Sequence, residues 1–183
     1  MPTNNLTICG LEELSLHRKA GVTHVVSILD PSWPEPAEFD QWDPHDRLVL
    51  RFHDVIDEGP GWRPPEARHV AEILRFGRGL PRDRQLHLLV HCHMGVSRST
   101  AAAILLLAQH EPARDADDIV AQIVRHRPQA WPNIRIIEAG DEQLSRGGAL
   151  VDAVRRHYRA VVAVDPDYAR ELRAGGRGRE VDG

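Results

Sequence analysis

Apolar positions along this chain alternate between short continuous runs and stripes of helical period. Residues 6–8 form a brief apolar run closed by Gly10, and residues 11–20 continue with helical spacing up to Gly21, a suitable helix stop. Residues 22–29 are rich in β-branched side chains and predict a buried strand, ended by Asp30-Pro31 and a Pro-rich loop to Pro36. Residues 48–52 and 86–90, the latter preceded by Arg82-Asp83, are two more runs of strand length. Between them Pro64 and Pro65 open a helix to about Phe76, since proline suits a first turn. A strongly apolar helix is predicted over 98–110. Helices over 116–127 and 133–145 follow, divided by Pro128 and Pro132, and another over 150–162. Beyond Asp165 the Arg, Asp and Gly content predicts a mobile end. The expectation is an α/β domain over residues 1–148, with a helical extension and flexible tail over 149–183. Its centre would be a mostly parallel sheet of about four to five strands flanked by helices on both faces.

Composition narrows the class. A chain of 183 residues buries roughly 70% of its unfolded surface, so its core needs no disulfide or metal staple. Hydrophobic residues at 42% and charged residues at 27% argue against disorder, and a net charge of -4 argues against a nucleic-acid partner held by a basic surface. Two cysteines, Cys9 and Cys92, are too few for a disulfide scaffold. The longest apolar stretch, 101–108, is too short to span a bilayer, and no basic segment followed by an apolar run opens the chain. A reduced, cytoplasmic, non-membrane protein is therefore expected.

The chemistry concentrates in His91-Cys92-His93-Met94-Gly95-Val96-Ser97-Arg98-Ser99. A strand delivers the chain to Cys92, Gly95 turns it, and a helix starts near Arg98. Inward backbone N–H groups and the positive end of a helix dipole make such a turn an anion cradle of phosphate size. Positive potential at its floor favours thiolate, the nucleophilic form of cysteine. The planar fork of Arg98 can grip two phosphate oxygens.

This segment resembles the His-Cys, five residues, Arg, Ser/Thr loop of cysteine-dependent protein phosphatases, and in size the compact dual-specificity branch. The likeness spans roughly residues 6–150. Val25-Val26-Ser27-Ile28-Leu29-Asp30 resembles the early core strand, and Arg125-His126-Arg127-Pro128 with Pro132-Asn133 resembles the segment between the last helices. The resemblance implies a phosphotyrosine protein phosphatase-like fold. It also implies hydrolysis of phosphotyrosine, with phosphoserine and phosphothreonine as further substrates, through a cysteinyl-phosphate on Cys92. Arg98 and the amides of His93, Met94, Gly95, Val96 and Ser97 would bind phosphate. Ser99 would steady the departing thiolate, and His91 would orient the loop. The substrate would be a phosphorylated protein or a small phosphomonoester, with no metal or organic cofactor. The general acid would follow the strand at 48–52, where Asp54 is the nearest match and Asp57, in a Gly/Pro-rich turn, is the alternative.

Competing readings are plain. Cys92 is an inert core thiol, Asp54 and Asp57 are solvated loop acids, and Ser99 is a first-turn hydroxyl. His91, Cys92 and His93 do not make a zinc site, because adjacent residues on an extended segment point to opposite sides. Cys9 fits a core position, with a redox partnership to Cys92 as the sharper alternative. Trp33, Trp42, Trp62 and Trp131 read as packing residues, although Trp62 follows the acid loop and can line a pocket mouth. At the level of function, a non-catalytic phosphate-binding module needs the cradle but no nucleophile. An arsenate reductase needs resolving cysteines, and only Cys9 is available.

Overall fold

The computed structural model describes residues 5–81 and 86–183; the Arg82-Asp83 boundary and the first four residues lie outside them. Four strands, β1 (Leu6–Cys9), β2 (His24–Leu29), β3 (Asp46–Arg51) and β4 (Leu88–His91), form one sheet in the order β1-β4-β2-β3. All pairings are parallel, and β4 lies inside, with Val90 opposite both Ile8 and Val26. Burial on both faces explains why β2 and β4 read as continuous apolar runs. One face presents Ile8, Val26, Ile28, Leu50 and Val90 to the main core; the other presents Cys9, Val25 and Leu89 to a smaller cluster with Leu14 and Phe39.

The two faces are covered unequally. The main face carries α1 (Ala67–Gly79) and α2 (Arg98–His110), with α3 (Ala116–His126), α4 (Ile134–Gln143) and α5 (Ala149–Val164) packed outside them. Helix α2 is buried from Arg98 through Ala108, consistent with a helix apolar on every side. The opposite face is closed by two 3-10 helices, Leu11–His17 and Ala37–Gln41. The α-helix expected over 11–20 is thus a shorter, tighter element that buries only Leu14. Pro64 and Pro65 precede α1 instead of starting it. A residue before proline is pushed out of the helical region, and Glu66 becomes the N-cap. Asp115 and Asn133 cap α3 and α4, accepting from Asp117 N at 2.8 Å and Ile136 N at 3.2 Å.

The segment past Asp165 differs most from expectation. It folds as α6 (Pro166–Ala174) and α7 (Gly178–Val181), started by Asp165 accepting from Tyr168 N and by Pro166 in the first turn. Ala169, Leu172 and Glu180 are buried there, and Leu172 joins the main core. Two buried apolar positions in a short helix give little periodic signal, while Arg and Gly content dominates the composition.

Candidate active site

In a parallel sheet every strand ends on the same edge, so the loops after the strands gather there. Gly10 follows β1, Asp30 follows β2, Phe52 to Asp54 follow β3, and Cys92 follows β4. The loop 92–97 then turns into α2. Gly95 has φ +71°, and a Cβ there would lie 2.5 Å from Cys9 C and 2.7 Å from Gly10 N, so only glycine fits.

The shape of this loop is set from outside by its carbonyls. His93 O accepts from Leu11 N at 2.9 Å, Val96 O from Trp131 N at 2.9 Å, and Ser97 O from Asn133 N at 3.2 Å. Met94 O accepts from Arg127 Nη2 at 2.8 Å, and Arg127 is itself anchored to Glu13 at 2.7 Å. A trans peptide plane places the next N–H opposite each carbonyl. The amides of Met94, Gly95, Ser97 and Arg98 therefore face away from these partners. Ser97 occupies the N-cap of α2, yet its hydroxyl caps no helix amide and instead donates to Asp54 Oδ1 at 2.8 Å. The first turn of α2 is left without a side-chain cap, as an anion site at a helix N-terminus requires.

Cys92 is buried at the base of this turn, with Sγ 3.3 Å from Ser99 Oγ. Arg98 is buried as well. Its Nη1 donates to Asp30 Oδ1 at 2.6 Å and to Phe52 O at 2.8 Å, while its Nε has no hydrogen-bond partner among the described residues. His91 is fully buried and shares a 2.6 Å hydrogen bond between Nε2 and Ser27 Oγ across the sheet. Burial, ahead of its charged neighbours, pushes its imidazole down to about 4, so it is neutral near pH 7. His93 Nε2 accepts from Asp30 N at 3.1 Å, which leaves Met94 as the exposed side chain of the loop.

Of the two candidate acids, only Asp54 meets the loop. Oδ1 of Asp54 accepts from Ser97 Oγ, from Asn133 Nδ2 at 2.9 Å and from Arg177 Nη1 at 3.2 Å. Burial alone would push its carboxyl up, but Arg177 and then Arg98, together with the Asn133 and Ser97 hydrogen bonds, hold it below the usual aspartate value. Asp57 is largely exposed and pairs with Arg179 at 3.3 Å. The base of the acid loop is pinned where His53 N donates to Arg63 O at 2.8 Å and Arg63 N donates to His53 Nδ1 at 2.9 Å. Trp62 packs edge-on against the His53 ring, 5.0 Å between centroids, and remains half exposed.

Cys9 lies opposite His91 in the β1–β4 register, so its side chain belongs to the other face of the sheet from Cys92. That placement fits the core reading of Cys9 and leaves the thiols in separate clusters. Among the described residues no three His, Cys, Asp or Glu side chains gather as a metal site, and no helix is long and apolar enough to cross a membrane. Three site residues escaped sequence reasoning: Asp30 as the partner of Arg98, Asn133 as a donor to Asp54, and Arg177. Asn133 had a signal, since an Asn ahead of an apolar stripe predicts an N-cap; here the side chain caps α4 through Oδ1 and holds Asp54 through Nδ2.

A parallel four-stranded sheet packed against helices, with a cysteine loop leading into its central helix, is the architecture of the protein tyrosine phosphatase-like α/β proteins. Within that class the fold is that of the dual-specificity phosphatases. Human DUSP28 superposes with a TM-score of 0.59 at 18% identity, covering 81% of this chain and 96% of that one. The Yvh1 phosphatase domain from Chaetomium thermophilum gives 0.51 at 24% identity, covering 80% and 94%. A human tyrosine phosphatase-like serine/threonine/tyrosine-interacting protein gives 0.53 at 21% identity, covering 78% and 93%. The sequence matches no family model and no curated protein.

Proposed function

We propose that this protein is a cysteine-dependent phosphatase that hydrolyses phosphate monoesters, phosphotyrosine first and phosphoserine or phosphothreonine as well. One observation carries the reading. A buried cysteine sits at the base of a loop whose His93, Met94, Val96 and Ser97 carbonyls are tied outward, within reach of a serine hydroxyl, and a carboxylate is bonded to the same loop. A core thiol needs none of these arrangements. The phosphatase folds of the neighbours support the assignment at the level of architecture.

In the first step Cys92 Sγ, as thiolate, attacks phosphorus. The S–P bond forms, the ester P–O bond breaks, and the departing oxygen takes the proton of Asp54. The loop amides and Arg98, whose Nε is an unused buried donor, stabilise the three equatorial oxygens. In the second step water attacks phosphorus, its proton returns to Asp54, the S–P bond breaks, and Ser99 Oγ donates to the sulfur as it leaves. His91 positions, and no cofactor takes part.

The test is turnover of p-nitrophenyl phosphate. Cys92→Ser should abolish it, and Asp54→Asn should lower kcat about 10²–10⁴-fold on a substrate with a poor leaving group. Asp57→Asn should leave kcat within about 3-fold, as expected of a carboxyl outside the reacting groups. Because Asp54 must be protonated for the first step and titrates low, kcat/KM should fall as pH rises from 4 to 8. A flat profile would remove Asp54 from its role. A second reading has one observation in its favour, since three donors on Asp54 hold it ionised, which suits a phosphate-binding module. Vanadate binding without turnover in the wild-type chain would establish that reading instead.

A further inference from the structure

The mechanism above leaves Arg177 and Glu180 without a role, although both are largely buried charges on the C-terminal extension. The Glu180 carboxylate accepts from Trp131 Nε1 at 2.6 Å and from Ile134 N at 3.0 Å, where α4 begins. It also takes Arg177 Nε at 2.6 Å and Nη2 at 2.8 Å. Burying an ion pair is seldom a gain in stability, so this pair calls for a geometric purpose. With Nε and Nη2 held by Glu180, the guanidinium plane is fixed, and its remaining donors reach the candidate site. Nη1 bonds Asp54 Oδ1 at 3.2 Å and Nη2 also bonds Ser97 Oγ at 3.0 Å. The same short segment, Trp131 to Asn133, donates to the loop carbonyls of Val96 and Ser97, bonds Asp54 through Asn133 and contacts Glu180 through Trp131.

We propose that Arg177 is a positioning residue for the general acid, by which the C-terminal extension fixes Asp54 and Ser97 against the phosphate loop. Among the described residues all three donors to Asp54 converge on Oδ1, so the proton it delivers resides on Oδ2. This rests on the assignment of Asp54 as the acid. The charged and titratable groups facing Asp54 are Arg177 on the extension, Arg98 at the start of α2, His93 in the loop, Tyr158 on α5 and Tyr168 on α6. Arg177 is foremost among those that keep the carboxyl low against burial.

Full-length Arg177→Gln and Arg177→Lys test this, each alone and with Asp54→Asn. In Arg177→Gln the Asp54 carboxyl, followed by carbon-13 NMR, should titrate about one pH unit higher, because an adjacent guanidinium lowers an aspartate by 1–3 units. With the larger fraction of protonated Asp54 allowed for by fitting the pH profile, its pH-independent kcat for phenyl phosphate should fall about 10-fold with KM unchanged, whereas p-nitrophenyl phosphate, whose leaving group needs little protonation, should lose less than about 3-fold. In the Asp54→Asn background neither loss should appear, since coupled residues are non-additive. Arg177→Lys keeps a counter-charge for Glu180, and with it the fold, but has no fork; it should show the same kcat loss and a smaller titration shift. An Asp54 titration unchanged in both variants overturns the proposal, as does an equal loss on both substrates that adds to Asp54→Asn. Turnover retained by Cys92→Ser, or none by the wild-type chain, instead removes the phosphatase assignment, and the Asp54 titration still decides whether Arg177 governs that carboxyl.

Discussion

His91 shows how one buried side chain writes a pH dependence into the fold. Burial holds its imidazole at about 4, against an ordinary value of 6.5. The native state keeps it neutral while the unfolded chain takes up a proton below pH 6.5. Its contribution is therefore complete above pH 6.5 and is lost progressively as pH falls toward 4. The full window corresponds to about 3 kcal/mol. Urea unfolding at pH 7 and pH 4.5 should show this loss in the wild-type chain, and His91→Gln should lack it. Gly95 makes a complementary case. Gly95→Ala places a Cβ against the Cys9 and Gly10 backbone at a positive φ, a strain on the order of 1–3 kcal/mol. The variant should bind vanadate at least about 10-fold more weakly by calorimetry, because the strained loop can keep neither its turn nor its amide directions.

The elements that position the site were legible where their signal is local. Helix α2 begins and ends where its apolar composition predicts, because a helix buried on every side has no polar stripe to blur its ends. Residues 11–17 were legible as a helical turn but not as a 3-10 helix, since hydrogen-bond register leaves no trace in a seven-residue pattern. The close approach of α4 to α2 was not legible either. It depends on Gly140, where a Cβ would lie 2.2 Å from Leu105 Cδ2 and 2.8 Å from its Cγ, although the pattern shows only an isolated glycine in a helix. Gly140→Ala should cost about 1–3 kcal/mol through overpacking, read as a lower urea midpoint with unchanged slope. In a Leu105→Ala background, where the crowding side chain is gone, Gly140→Ala should cost less than it does alone, which helix propensity alone does not predict.

Across the whole molecule, the cysteine loop was legible because its residues are contiguous, whereas its supports come from every part of the chain. Arg177 lies 123 residues from Asp54 and 80 from Ser97, and an arginine in an Arg- and Gly-rich end carries no periodicity to mark it. The boundary at Gly148 is similarly visible in composition, yet Leu150, Val154 and Tyr158 beyond it are fully buried in the main core. Ending the chain after Gly148 removes these side chains at a loss on the order of 5 kcal/mol, comparable to the stability of a domain. Such a truncation should lose its cooperative urea transition by circular dichroism.

The proposed phosphate cradle is largely main chain, and its carbonyls are moored to Leu11, Arg127, Trp131 and Asn133. The identity of the exposed side chain at position 94 is thus largely decoupled from the geometry that would hold an oxyanion. If the loop acts as proposed, exchanging Met94 retunes which molecule docks at the rim while the buried residues beneath it stay as they are. On the proposed function, selectivity is free to drift independently of catalysis.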